Sequence, residues 1–354
     1  MTVVKHEPDA STSVSAARRW LPWVGGLLGL LALTWVLRSF DFDRFRSILA
    51  GADPRWLVLV PLSILFEQLV RAWKWRQLLF RLRPVGMLRL FGCIMAGYLL
   101  AALIPLGFGT IARSWLVARR EDLKLANVLA TVAIDRLTDG IVFACLVPFA
   151  LFFVAFDDPT GGIRRGLVWG RTGSFVLFAA VLLALLAYRR RATTPDGRLY
   201  ALIGRLPQRI VPAVQRVATA FAEGIAWPVD VWRGAGVVLA SVAIKLLAST
   251  TLLWAGLAIG IVLEPAQYLF LLVFLGFLMI LGHFLRFIGS FVVGGVLALG
   301  LFGVAPEPAL AMVLVIEMAN ILSIASVGAF SLWTQGVALR DLRAAKAQVH
   351  QPAP

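Results

Sequence analysis

Charge is scarce in this sequence: 15% of its residues are Asp, Glu, Lys or Arg, against about a quarter in an ordinary globular domain. Histidine is scarcer still, with three in the chain, of which His6 and His350 stand near the ends. That leaves no imidazole cluster of the kind that holds catalytic zinc or copper. The two cysteines, Cys93 and Cys145, both lie inside apolar runs and read as small buried residues, so a disulfide framework is excluded. There is no HExxH, CxxC, GxSxG or Walker loop. Zinc proteolysis, dithiol redox chemistry, acyl transfer by an elbow serine and P-loop nucleotide hydrolysis therefore lack their signatures. No metal or cofactor is expected, and any transport has to be uncoupled or driven by a gradient. The chain is expected not to be an enzyme.

Apolar residues fill the space that charge leaves, at 60% of the 354 positions. They cluster in runs such as Val24 to Val36, Val58 to Leu65 and Ala266 to Leu285. Crossing the hydrocarbon core takes roughly 20 mostly apolar residues, and eight segments qualify as candidates: 20–39, 56–74, 88–106, 127–154, 173–188, 234–262, 266–304 and 308–334. The fold class this predicts is an all-α integral membrane protein. The net charge of +15 does not make it a nucleic-acid binder, because the basic residues flank the apolar runs instead of forming one patch. That is the distribution of cytoplasmic loops under the positive-inside rule.

Residues 1–19 read as a polar cytoplasmic tail, 20–335 as the membrane domain and 336–354 as a second, basic cytoplasmic tail. The first segment follows Arg18 and Arg19 directly, and no small-residue cleavage site comes after it. It reads as a retained anchor helix in the inner (plasma) membrane. Between segments five and six, 197–226 alternates Leu199, Leu202, Ile203, Leu206, Ile210 and Val214 with Arg198, Arg205, Arg209 and Arg216. An amphipathic helix lying on the anionic leaflet is expected there.

Loop charge then constrains the threading. Residues 71–89 carry six cations and no acid, 189–216 are equally basic, and both stretches should be cytoplasmic. Three segments separate them, so one must enter and leave on the same side. Segment three is the natural choice, because it ends in Pro105-Leu106-Gly107-Phe108-Gly109 and is followed by Arg113, Arg119, Arg120 and Lys124. A re-entrant hairpin over 88–112, opening on the cytoplasmic side, is predicted. Segment seven is too long for one span and contains Gly282, Gly289, Gly294 and Gly295 as breaks. With a cytoplasmic C-terminus it becomes a hairpin opening outward. Six full spans plus two re-entrant hairpins result, in the order of an inverted repeat, an arrangement that places a transport site at the broken helices.

Ionisable residues within apolar helices cost several kcal/mol each, roughly 2.5–3.5 on insertion scales. Here they are Glu67 and Arg71 at i, i+4, then Arg113, then Asp135, Arg136 and Asp139, then Lys245, His283 and Arg286, and finally Glu317 with Asn320. Glu67 with Arg71 and Asp139 with Arg136 can neutralise each other within their own helices. Arg113, Lys245 and Arg286 have no acid within a turn, so each needs a partner from elsewhere. An anionic lipid headgroup is one, since arginine binds phosphate bidentately. The expected headgroup-binding set is Arg113, Asp135, Arg136, Asp139, Lys245, Arg286, Glu67, Arg71 and Glu317.

The stretch from Gly97 to Leu146, with Pro105, Gly109, Arg113, Asp135-Arg136 and Asp139, resembles the first signature of the lysylphosphatidylglycerol synthase transmembrane-region family, also called the flippase-like domain. Arg71-Ala-Trp-Lys-Trp-Arg-Gln-Leu-Leu79 and Pro84-Val-Gly-Met-Leu-Arg89 are similar to the same family, and the resemblance runs from about 20 to 335. Ala101, Gly107 and Thr110 depart from its usual residues. In place of the second signature, Pro-Gly-Gly-x-Gly-x-x-Glu, stands Leu285-Arg-Phe-Ile-Gly-Ser-Phe-Val292. The resemblance implies movement of lipids or lipid-linked precursors between leaflets. No soluble aminoacyl-transferase domain, as some members carry, is expected in this chain. Two other readings stay open: a membrane-embedded lipid-modifying enzyme using Asp135 or Asp139 as base, and a non-transporting scaffold for a lipid glycosyltransferase. The expected partner is a membrane lipid with an anionic headgroup or a lipid-linked precursor, with a lipid-modifying enzyme as a further candidate.

Overall fold

The computed structural model describes residues 40–103, 108–154, 161–192, 227–228, 230–285 and 289–334. Among these the chain is all-α, with ten helices: α1 Phe42–Ala50, α2 Pro54–Leu79, α3 Met87–Leu103, α4 Phe108–Glu121, α5 Leu125–Phe153, α6 Gly162–Ala192, α7 Val231–Ile259, α8 Pro265–Leu285, α9 Ser290–Gly300 and α10 Pro306–Thr334. The first expected segment, 20–39, the surface helix 197–226 and both expected tails lie outside the described residues.

The helix starts follow from local chemistry. α2, α8 and α10 each begin on proline, whose fixed φ suits the first turn and whose missing N–H is not needed there. Asp41 caps α1 by accepting from the N–H groups of Asp43 and Arg44 at 3.0 Å each, and Asp53 accepts from Arg55 at the start of α2. α4 stops where Asp122 turns left-handed at φ 53°, one of the few residues that tolerates that conformation.

Four helices, α2, α5, α7 and α10, are long and apolar enough to cross a membrane, and α3, α9 and part of α8 are shorter apolar helices. The protein is a multi-pass membrane protein. Expected segment five falls within α6, a helix of 31 residues. The order long helix, two short helices, long helix occurs twice, as α2–α3/α4–α5 and α7–α8/α9–α10.

The expected loop 71–89 needs correction. α2 runs to Leu79, and Arg71 and Lys74 are buried in it; the connection itself is short, at 80–86. Burial in a protein interior has overridden the reading of these cations as solvated flank. Both predicted hairpins are present as helix pairs, although the second arm of the first continues to Glu121 instead of ending near 112. In segment seven α8 ends at Leu285 and α9 begins at Ser290, where Gly289 adopts φ +87°. Gly294 and Gly295 sit inside α9 instead, and a Cβ there would strike Leu278 and Val313. They allow close packing and do not end a helix.

The chain divides into two compact units, one comprising 1–57, 150–167 and 252–315, the other 58–149, 168–251 and 316–354. In the first, Trp56 stacks on Trp254 with centroids 5.4 Å apart, the Tyr268 hydroxyl donates to the Ile261 carbonyl, and Phe270 packs edge-on to Phe302. The core of the second gathers Trp75, Leu78 and Leu79 of α2, Leu90, Cys93 and Ile94 of α3, Leu116 of α4, and Val128 and Ile134 of α5. All the ionic contacts described next belong to this second unit.

Candidate functional site in the second unit

The first hairpin is built on glycine. Gly97 of α3 meets Gly109 and Arg113 of α4 so closely that a Cβ on Gly97 would lie 2.7 Å from the Arg113 Cβ, and a Cβ on Gly109 would lie 2.5 Å from the Ala101 Cβ. Gly97 and Ala101, four apart on α3, and Gly109 opposite them on α4 allow this approach, as small residues do in close-packed membrane helix pairs. Gly328 of α10 comes as close to the Met95 carbonyl. The seam fixes the backbone of Arg113 one turn beyond Gly109.

Across the core from that arm, α2 and α5 face each other with complementary charge. Arg71 and Lys74 stand at i, i+3 on α2, and Asp135 and Asp139 stand at i, i+4 on α5, so each pair shares a face. Arg71 donates through Nη1 to Asp139 Oδ2 and through Nη2 to Glu67 Oε1, both at 3.0 Å. The Lys74 side chain has no exposed surface; its Nζ donates to Asp139 Oδ1 at 2.6 Å and to the Asp135 carbonyl at 3.0 Å. The same ammonium lies 2.9 Å from Asp135 Oδ1, an ion pair out of line for a hydrogen bond. Buried charges survive only when paired and hydrogen-bonded in this way.

Arg113 is 2% exposed. Its guanidinium lies 5.2 Å from the centroid of the Trp75 ring, and Trp75 is itself held by a hydrogen bond from Nε1 to Thr131. Asp135 stands 3.9 Å from Arg113 Nη2, and among the described residues Arg113 Nε and Nη2 have no hydrogen-bond partner. Tyr98 lies within electrostatic range of Arg71, Arg113 and Arg136.

The structure thus joins Glu67, Arg71, Arg113, Asp135 and Asp139 of the expected set, through Lys74, into one network. It does not join the rest equally. Arg136 is exposed and does not neutralise Asp139, which α2 has taken, although it remains within electrostatic range of Arg113. Lys245 is half-buried with its Nζ 5.6 Å from the Phe143 ring centroid, and lies within electrostatic range of Asp139. Glu317 and Asn320 on α10 are half-buried, and no ion pair or hydrogen bond links either side chain to the network among the described residues. Arg286 and the His283 side chain lie outside the described residues.

Lys74, Trp75 and Tyr98 are the members that sequence reasoning left out. Lys74 was legible in principle, because two cations three apart on one helix and two carboxylates four apart on another are complementary faces. At the rim, Glu121 pairs with Arg83 at 3.5 Å and Arg89 at 3.6 Å, and Arg233 bonds Gln77 while covering the Phe80 ring. Among the described residues no group of His, Cys, Asp and Glu could hold a metal ion.

No curated protein and no solved structure matches the chain. Residues 23–328, most of the sequence and all of the network, match the family described as the lysylphosphatidylglycerol synthase TM region. On that match the chain belongs to the lysylphosphatidylglycerol synthase transmembrane-region family, membrane proteins of lipid metabolism.

Proposed function

We propose that the protein moves an anionic phospholipid, or a lipid-linked precursor bearing phosphate, between the leaflets of the inner membrane. In this reading the chain makes no covalent change to its cargo. It crosses the membrane six times, with two re-entrant hairpins and both termini in the cytoplasm. The observation that carries the proposal is Arg113, a buried cation with two nitrogens that have no hydrogen-bond partner among the described residues. Arg71, Lys74 and Arg113 match Glu67, Asp135 and Asp139 in charge, and Arg136 and Lys245 add two cations nearby. A positive excess beside a buried guanidinium favours an anionic ligand.

The alternative of a lipid-modifying enzyme needs Asp135 or Asp139 free to take a proton. Both are engaged by Arg71 or Lys74, which favours the transport reading. The test is headgroup accessibility in proteoliposomes with labelled anionic and zwitterionic lipids. Wild-type protein is expected to exchange the anionic lipid, and Arg113→Ala is expected to fall to the protein-free rate while eluting as folded protein. Equal exchange by wild type and Arg113→Ala sinks the role of Arg113, and a change in lipid mass favours the enzyme.

A further inference from the structure

Nε and Nη2 form one edge of a guanidinium, the side-on fork that accepts two oxygens of a single phosphate. In Arg113 both nitrogens of this edge are buried and without an acceptor among the described residues. Asp135 is the group that would close the fork, since its Oδ2 stands 3.9 Å from Nη2, outside hydrogen-bond reach. Asp135 is held on its other side. Lys74, wholly buried, lies 2.9 Å from Asp135 Oδ1 and bonds the Asp135 carbonyl at 3.0 Å, while Asp139 Oδ1 anchors the same ammonium at 2.6 Å. The ammonium is thereby pinned to one turn of α5, and the Asp135 charge is drawn toward it. The guanidinium has no reason to follow, because its face lies against the Trp75 ring, 5.2 Å from the centroid.

We infer that Lys74 is a positioning residue that keeps the Arg113 fork open for a phosphodiester oxyanion by holding Asp135 out of its reach. This deepens the lipid-translocation reading and rests on it. Removing the ammonium leaves Arg113 as the one cation within ion-pair distance of Asp135 among the described residues, and a movement of about 1 Å brings the pair to hydrogen-bond distance. The anion then has to displace a carboxylate. Removing the Asp135 charge as well abolishes the competition and returns the fork to the ligand.

The test is calorimetric titration of the full chain, in zwitterionic detergent, with short-chain phosphatidylglycerol. Lys74→Met is expected to weaken binding by about 10- to 100-fold, the worth of a charge-assisted hydrogen bond, and Arg113→Gln by a similar factor. Lys74→Met/Asp135→Asn is expected to bind near the wild-type value, whereas Arg113→Gln/Asp135→Asn stays weak. A structural role for Lys74 alone predicts no such rescue. Wild-type binding that Arg113→Gln weakens and Lys74→Met does not overturns the inference alone, as does a double variant no better than Lys74→Met. No saturable wild-type binding, or binding indifferent to Arg113, overturns the translocation reading with it. Should Lys74→Met fail to elute as folded protein, Asp135→Asn by itself decides: the inference requires affinity equal to or above wild type, and weaker binding overturns it.

Discussion

Alanine at Gly109 isolates the contribution of the hairpin seam. The new Cβ would sit 2.5 Å from the Ala101 Cβ and 2.8 Å from the Gly97 carbonyl oxygen. Carbon atoms pack best at about 3.5–4.0 Å, so α3 and α4 must separate by roughly 1 Å. Neither obstacle can rotate away, because one is backbone and the other is fixed to it. Overpacking of this kind costs about 1–3 kcal/mol, and two rigid obstacles place this case near the upper end. Gly109 is the second residue of α4, so the advantage of alanine in a helix interior, about 1 kcal/mol, offsets little of this. Gly173→Ala, in the middle of α6, is the clash-free control, because its Cβ would meet nothing within 4 Å. Gly109→Ala is expected to fall below it by about 3 kcal/mol. Unfolding in mixed micelles with increasing SDS, followed by circular dichroism, reads it directly. Gly109→Ala is expected to unfold at a lower SDS fraction than wild type and Gly173→Ala at an equal or higher one. Gly109→Ala matching Gly173→Ala would refute the seam.

Other outcomes follow from the same geometry. Asp139→Asn leaves Arg71 and Lys74 short of a shared carboxylate and is expected to cost about 3–5 kcal/mol, read in the same titration. Glu121→Gln removes its charge from Arg83 and Arg89, which are largely exposed, and is expected to cost less than about 1 kcal/mol. Tyr268→Phe leaves the Ile261 carbonyl without its donor and is expected to cost about 1 kcal/mol with lipid exchange unchanged. Arg136→Ala, at an exposed position, is expected to leave stability within about 0.5 kcal/mol while slowing exchange of anionic lipid in proteoliposomes.

The sequence made the helices and hairpins legible for particular reasons. Prolines at 54, 265 and 306 mark helix starts, and Pro105 follows the end of α3 at Leu103 and precedes the start of α4 at Phe108. Charge bias served less well. It counts every cation as flank, so Arg71 and Lys74 were assigned to a loop although they face carboxylates 65 to 68 residues away. Glu67 with Arg71 came out as an intrahelical pair at 3.0 Å. Asp139 with Arg136 did not, because Asp139 found Arg71 and Lys74 on a neighbouring helix. Periodicity names the face of a helix but not its neighbour, and the neighbour decides which charge is neutralised.

The pairing of α2 with α5 also sets a schedule for biogenesis. A helix bearing Arg71 and Lys74 inside its apolar length is an unwelcome insertion substrate, at roughly 2.5–3.5 kcal/mol for each cation near the bilayer centre. The helix that carries its carboxylates, Asp135 and Asp139, brings them 61 and 65 residues after Lys74. At about 5–20 residues per second, synthesis takes roughly 3 to 12 s to deliver it. For that interval the cations of α2 lack the carboxylates of α5, so α2 is expected to settle into the bilayer only together with α5.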